Sequence, residues 1–124
     1  MNWIVEELLY RYRQPKNRGK VKGEGVLTGA FGNPGCGDVV RVFVKVRDGR
    51  VVEARFEGEG CTVSQGVADM LMDRVKGMSV EEVRDLTLED ISGMIGEELV
   101  RLRPKCSSVA LNALKVALGH LTSV

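Results

Sequence analysis

Three cysteines and one aspartate are the residues of this sequence best suited to hold a metal. Cys36 and Asp38 are two positions apart in the glycine-rich loop of residues 32–38, while Cys61 and Cys106 each precede a segment with helical periodicity. A thiolate at a helix start faces free backbone N–H groups and the positive end of the helix dipole, which lower its pKa. Soft thiolates select zinc or iron-sulfur clusters among biological metals. The four side chains therefore predict a zinc or iron-sulfur site.

Asp38 is the unusual member of this set. A carboxylate is a harder ligand than a thiolate and a weaker partner for cluster iron. Three cysteines with one aspartate should therefore hold a cluster less firmly than the all-cysteine sets of electron-transfer proteins. Such lability suits a carrier that must give its cluster away.

The same residues also fit plainer structural roles. A single cysteine is most often a small buried hydrophobe, and an aspartate after a glycine often serves a turn. Lys105 could hold a thiolate or persulfide as a cation, or act as a ligand in some states, but an exposed loop lysine is commoner. His120, the only histidine, lies about 20 Å beyond Cys106 along a helix and is not counted as a ligand. A Cys-His hydrolase is disfavoured for the same reason.

Length and composition predict one domain spanning residues 1–124. The chain is 44% hydrophobic and 28% charged, as in globular proteins that stay in solution, and no apolar run is long enough to span a bilayer. A net charge of +1 does not indicate the basic surface that proteins use to bind nucleic acid. The first residues carry acids where a signal peptide has basic residues, so we expect a cytoplasmic protein with reduced thiols.

Hydrophobic periodicity predicts an α+β fold. Residues 3–13 have the spacing of an amphipathic helix that ends before Pro15, and residues 26–28 form a short strand. Alternation over residues 40–46 and 52–56 predicts a β-hairpin. We therefore expect a small antiparallel three-stranded sheet with helices packed on one face.

The hairpin register depends on the turn at Asp48 and Gly49. A two-residue turn would set Lys45 opposite Val52 and cross the apolar faces of the two strands. We therefore predict a three-residue loop with a left-handed Gly49, which pairs Val44 with Val52.

The remaining elements are helices. Residues 62–76 predict a helix that ends at Gly77. Capping-box patterns beginning at Ser79 and Thr87 predict two short helices. Cys106 opens a last helix that carries a leucine stripe at Leu111, Leu114, Leu118 and Leu121.

These motifs resemble those of one known family. The stretch Gly-Asn-Pro-Gly-Cys-Gly-Asp at residues 32–38, the Gly60-Cys61 helix start and the Lys105-Cys106-Ser107 helix start are similar to the three cysteine motifs of the IscU and NifU N-terminal family. Members of that family are scaffolds of iron-sulfur cluster assembly. Residues 12–19 also resemble the family's Tyr-x-x-Pro-x-Asn-x-Gly stretch, so the likeness covers nearly the whole chain.

The resemblance implies a function that is not enzymatic. Cys36, Asp38, Cys61 and Cys106 would bind a nascent [2Fe-2S] cluster, or iron or zinc before it. A pyridoxal-phosphate cysteine desulfurase would supply sulfur as a persulfide, with Cys106 or Cys36 as the acceptor. The scaffold would then pass the cluster to apo iron-sulfur acceptor proteins. Whether the chain acts alone or as a homodimer stays open.

The chain departs from the family pattern at two places. Bacterial members usually carry a histidine where this chain has Lys105, which speaks against a histidine-ligated state. They also carry a Leu-Pro-Pro-Val-Lys motif read by a heat-shock chaperone of the DnaK class. Residues 99–103 here read Leu-Val-Arg-Leu-Arg, which speaks against delivery through that chaperone.

Two other functions fit part of the pattern. The related SufU proteins also lack the histidine and relay sulfur with zinc bound by cysteine and aspartate, so a zinc-dependent sulfurtransferase is the main alternative. SufU proteins typically carry an extra segment between the second and third cysteines, and the short stretch from Cys61 to Cys106 favours the IscU-like scaffold. A structural zinc domain ranks last, because an aspartate ligand suits exchange rather than a closed site.

Overall fold

The computed structural model describes residues 2–33 and 37–119, and within them the chain forms three strands and six helices. The predicted α+β class is confirmed. In chain order the elements are α1 (Asn2–Arg13), β1 (Val26–Asn33), β2 (Asp38–Arg47), β3 (Arg50–Glu59), α2 (Thr62–Val75), α3 (Val80–Arg84), α4 (Leu88–Ile95), α5 (Glu97–Leu102) and α6 (Pro104–Ala117). No helix in the described part of the chain is both long and apolar enough to cross a bilayer.

The sheet is antiparallel with strand order β1-β2-β3. Alternate residues of β2, namely Val40, Val42 and Val44, are fully buried on the face that α2 and α6 cover. Gly29 of β1 lies opposite Val42, and a Cβ at Gly29 would collide with the backbone of α6. The last helix can therefore approach the sheet closely only because this strand position carries no side chain. The predicted packing of helices on one face is confirmed.

The predicted hairpin register is wrong. Asp48 and Gly49 form a two-residue turn, both with positive φ (53° and 76°), as type I′ hairpins require. A β-bulge follows, so that Val52 has no partner and is 45% exposed. Val44 therefore lies opposite Ala54 rather than Val52. The bulge restores the apolar alternation that a two-residue turn alone would have crossed.

The segment after α1 joins the helices to the sheet through Asn17. Its backbone N–H donates to Asp69 Oδ1 at 2.8 Å, and its side-chain amide donates to Asp73 Oδ1 at 3.0 Å. Arg11 donates to both carboxylates, each at 2.8 Å. The Phe56 N–H donates to the Asn17 carbonyl and fixes the segment along β3. Asn17 thus has a structural role, because it holds α1 and α2 against the strand that leads into the site.

Three short helices lie between α2 and α6 rather than the two predicted. The capping boxes at Ser79 and Thr87 start α3 and α4 as expected. The additional helix, α5, begins after Gly96, whose φ is 97°, and its N-cap position has no side-chain hydrogen bond. The sequence therefore has no capping motif that would predict α5.

Candidate metal centre

Three of the four predicted ligands lie together. One ligand atom from each of Asp38, Cys61 and Cys106 lies within 4.8 Å of the other two. Cys36 lies outside the described residues, as does His120. The described members of the predicted set thus come from the start of β2, the start of α2 and the first turn of α6.

Asp38 accepts hydrogen bonds from both described cysteines and from Ser64. Its side chain is held by donors from two helices, and the residue is only 2% exposed. The Cys61 N–H donates to Oδ1 at 2.8 Å, and the Ser64 hydroxyl lies 3.2 Å from the same oxygen. The Cys106 thiol donates to Oδ2 at 3.1 Å. Burial alone would raise the pKa of Asp38, but these hydrogen bonds to its charged form outweigh burial and lower the pKa.

Cys61 is the N-cap residue of α2, as predicted. Its Sγ accepts a hydrogen bond from the Ser64 N–H at 3.4 Å, and the side chain is partly exposed. Gly60 precedes it with φ 149°, and a Cβ at Gly60 would overlap Asp38 Oδ1. Only glycine lets the chain enter α2 this close to the carboxylate.

Cys106 is the third residue of α6, because the helix begins at Pro104, two residues earlier than predicted. Proline fits a first helical turn, where its missing N–H is not needed. The thiol is 5% exposed, and burial, followed by the adjacent Asp38 and Cys61 side chains, raises the pKa of Cys106 to about 12. The expectation that placement near a helix start lowers the pKa of the thiol is therefore wrong for Cys106. A bound cation acts in the opposite direction, since coordination deprotonates a thiol.

Two buried polar residues of α2 that the sequence analysis did not single out complete the site. Ser64 is fully buried and contacts both Asp38 and Cys61. Gln65 is 3% exposed and donates to Ser64 Oγ at 3.1 Å and to the Val39 carbonyl at 3.4 Å. Ser64 occupies the position three residues before Val67 on the buried side of α2. A polar residue on an apolar helical stripe was the signal that could have revealed it.

Two cavities open beside the thiols. One of about 380 Å³ contacts Cys61 and is otherwise mostly apolar, while one of about 220 Å³ contacts Cys106. Arg103 lines both, and exposed Lys105 lines the second. Both cysteines thus border cavities at the surface between α1, α5 and the start of α6, beside the cationic side chains of Arg103 and Lys105.

A donor set of thiols and one carboxylate suits zinc or iron. Thiolate sulfur selects zinc or iron-sulfur clusters, and the carboxylate adds a harder oxygen. The two oxygens of Asp38 differ in surroundings: Oδ1 accepts from Cys61 and Ser64, whereas Oδ2 faces the Cys106 thiol. The carboxylate is therefore oriented before any metal arrives, which lowers the cost of binding one.

Comparisons with known proteins show the family of this chain. A family model described as the NifU-like N terminal domain matches residues 4–123. The iron-sulfur cluster assembly scaffold protein IscU 1 of Archaeoglobus fulgidus is 30% identical over 114 residues, which cover 91% of this chain and 72% of that protein. The iron-sulfur cluster assembly scaffold protein IscU of Escherichia coli K12 is 32% identical over 121 residues, which cover 95% of this chain and 93% of that protein.

A solved structure shares the fold. The crystal structure of a hypothetical protein at 2.3 Å resolution superposes with a TM-score of 0.80 at 29% identity. The superposition covers 95% of this chain and 98% of that chain.

Proposed function

Because the chain belongs to the NifU-like N terminal domain family, we propose that it is a scaffold on which an iron-sulfur cluster is assembled and from which it is handed on. The observation that carries the proposal is the meeting of two thiols and a buried carboxylate within 4.8 Å, at residues far apart in sequence. Cys36, two residues before Asp38, supplies the fourth ligand. Relatives named as cluster assembly scaffolds support this role.

The cargo best suited to this set is a [2Fe-2S] cluster, preceded by iron or zinc. Three thiolates and one carboxylate supply the four protein ligands that such a cluster takes. The carboxylate is the weakest of the four toward cluster iron, and one of its oxygens lies within 4.8 Å of both described thiols. Asp38 is therefore the position at which an acceptor's ligand would first replace one of the scaffold's own.

Sulfur would come from a cysteine desulfurase as a persulfide. A scaffold thiolate attacks the outer sulfur of the donor persulfide, a new S–S bond forms, and the donor cysteine leaves as a thiolate. Cys106 and Cys36 are the proposed acceptors. Cys106 is buried, but it borders the cavity that Lys105 and Arg103 line, and these cations can stabilise a thiolate or persulfide anion.

The second candidate is a zinc-dependent sulfurtransferase of the SufU kind. Lys105 stands where bacterial IscU-like proteins usually carry histidine, and this is the observation that favours it. Zinc with three protein ligands and one open position is a reactive arrangement, and Asp38, Cys61 and Cys106 could supply those three. The compact stretch filled by α3, α4 and α5 favours the scaffold.

We further propose that residues 1–124 act as one scaffold domain in the reducing cytoplasm and that the chain catalyses no turnover of its own. One cluster of buried apolar side chains includes residues of α1, the sheet and the helices that follow, which supports a single domain. Its partners would be a desulfurase and apo acceptor proteins, and delivery would not depend on a DnaK-class chaperone.

The test is anaerobic assembly with a cysteine desulfurase, cysteine, a dithiol that reduces the transferred persulfide sulfur to sulfide, and either ferrous iron or zinc. A scaffold gains iron and acid-labile sulfide with visible charge-transfer bands, and loses both when an apo-ferredoxin is added that gains them. Tight zinc, no cluster and faster desulfurase turnover would instead identify a sulfur relay and overturn the first proposal.

A further inference from the structure

Two buried residues outside the ligand set, Ser64 and Gln65, form a chain of hydrogen bonds that ends at the ligand carboxylate. We propose that Ser64 and Gln65 are positioning residues that fix Oδ1 of Asp38 and leave Oδ2 directed at the metal. The inference rests on the proposed metal site, but it assigns a role to side chains that no ligand motif includes. Three sets of contacts carry it.

The first set fixes the Gln65 amide. Its Nε2 lies 3.4 Å from the Val39 carbonyl oxygen, so the opposite orientation would place two oxygens against each other. The same Nε2 lies 3.1 Å from Ser64 Oγ. Oε1 has no hydrogen-bond partner among the described residues. Gln65 must therefore donate to Ser64.

The second set directs the Ser64 proton. Because Ser64 Oγ accepts from Gln65, its single proton goes to one of two neighbours, the Asp38 carboxylate at 3.2 Å or the Cys61 carbonyl at 3.1 Å. The Cys61 carbonyl already accepts the Gln65 backbone N–H at 3.1 Å. A hydrogen bond to a charged carboxylate is the stronger of the two. The chain of donors thus runs from Gln65 through Ser64 to Asp38.

The third set divides the two carboxylate oxygens. Oδ1 receives the Cys61 N–H and the Ser64 hydroxyl, and among the described residues Oδ2 receives only the Cys106 thiol. A thiol proton leaves when metal binds, whereas the two donors on Oδ1 remain. Asp38 would therefore bind a metal through Oδ2, while the donors on Oδ1 keep the carboxylate in place. Outer residues that orient a metal ligand typically change metal affinity by about 10- to 100-fold.

The probe for this inference is Co²⁺, titrated anaerobically into the whole chain in competition with a chelator. Ser64→Ala removes the hydroxyl but keeps the N–H that bonds Cys61, and we expect its Kd to rise about tenfold. Gln65→Leu removes the outer donor, and we expect a rise of about threefold, the size of one neutral hydrogen bond. Ser92→Ala in α4 and Gln14→Leu in the exposed loop are the matched controls and should leave the Kd unchanged.

A double-mutant cycle separates positioning from general damage to the fold. In an Asp38→Ala background, Ser64→Ala and Gln65→Leu should each change the Kd by less than twofold, because the carboxylate they orient is gone. The sulfur-to-cobalt charge-transfer intensity should stay the same in the single variants, since the thiolates remain. The inference would be overturned if the two substitutions weakened Co²⁺ binding equally in both backgrounds, or if they left the Kd unchanged in the wild-type background. A fall in the charge-transfer intensity of the single variants would also overturn it.

The controls also separate this inference from the proposed function. A wild-type chain that binds no Co²⁺ through thiolates contradicts the metal site itself and with it both proposals. A wild-type chain that binds Co²⁺ while the Ser64 and Gln65 variants match it contradicts only the positioning role. Should Ser64→Ala fail to fold by circular dichroism, Gln65→Leu alone decides the result by the same cycle.

Discussion

The Cys106 thiol donates to Oδ2 of Asp38 at 3.1 Å, although the two residues lie 68 positions apart. Both are buried, and the bond joins the first turn of the last helix to the first residue of the central strand. The same carboxylate receives the backbone N–H of Cys61 at 2.8 Å. Asp38 thus joins both described thiols in one polar cluster, and its replacement is the sharpest test of the site.

Asp38→Cys should lengthen the lifetime of an assembled cluster. The substitution exchanges the weakest ligand for a fourth thiolate, and we expect loss of the cluster to an acceptor to slow by about tenfold. The measurement is the decay of the visible charge-transfer bands after addition of an apo-ferredoxin. Glu24→Ala, which removes an exposed loop carboxylate, is the control. Decay as fast as in the wild type would remove Asp38 from the labile role.

Replacing any one of the three cysteines by serine should lower the iron and sulfide retained per chain by about tenfold or more, because a hydroxyl binds cluster iron far less well than a thiolate. Cys36→Ser tests whether Cys36, which lies outside the described residues, is a ligand of the cluster. The readout is iron and acid-labile sulfide after desalting, with far-UV circular dichroism to check the fold. A cysteine whose replacement leaves both values unchanged is not a ligand in that state.

Gly60→Ala should damage the metal site more than it damages the fold. A Cβ there would overlap Asp38 Oδ1 and crowd Ser64 Oγ, and φ is 149°. Gly77→Ala is a matched control, because Gly77 also has positive φ (89°) but has open space around its Cβ position. Both variants should lose about 1–2 kcal/mol of unfolding free energy from backbone strain. Only Gly60→Ala should raise the Kd for Co²⁺ by about tenfold or more.

The same two variants also define the result that would contradict this prediction. If both alanine variants bind Co²⁺ like the wild type, the carboxylate can move aside without loss. Asp38 would then not need the close approach that Gly60 permits.

The network around Asn17 should give the protein a specific acid sensitivity. Burial would raise the pKa of Asp73, but hydrogen bonds from Asn17 and Arg11 and the charges of Arg11 and Lys16 lower it to about 2. A carboxyl whose folded pKa lies below its unfolded value of 3.8 stabilises the fold above about pH 4. That contribution, about 2 kcal/mol at 1.36 kcal/mol per pKa unit, is lost as the pH falls from about 4 to about 2.

Comparison of the wild type with Asp73→Asn checks this sign. The difference in unfolding free energy, measured with denaturant, should be constant from pH 7 to about pH 5 and shrink below pH 4. A difference that stays constant down to pH 3 would mean that another group accounts for the stabilisation.

Local sequence signals predicted much of the fold and singled out the three described residues that the fold brings together at the candidate site. The glycine before Cys61 and the apolar spacing after it predicted that Cys61 lies at the start of α2. The alternation of residue types in β2 identified the buried face of that strand. The hairpin register failed because the bulge at Val52 is set by how two strands fit on a shared face, and alternation within one strand does not show where an extra residue is inserted.

Contacts between distant segments account for the rest. The raised pKa of Cys106 follows from burial and from Asp38 and Cys61, which only the folded chain brings near. Ser64 was missed because its partner, the Asp38 carboxylate, is 26 positions away. Both errors have one cause, since local spacing predicts helix starts but not which polar groups meet inside the fold.

The most direct test of the account is X-ray absorption at the iron edge of the anaerobically assembled wild type beside Asp38→Cys. We predict a short iron–iron shell in both proteins, with a mixed sulfur and oxygen first shell in the wild type and sulfur alone in the variant. Absence of an iron–iron shell would contradict the scaffold. An identical first shell in the two proteins would contradict the proposal that Asp38 is a ligand of the cluster.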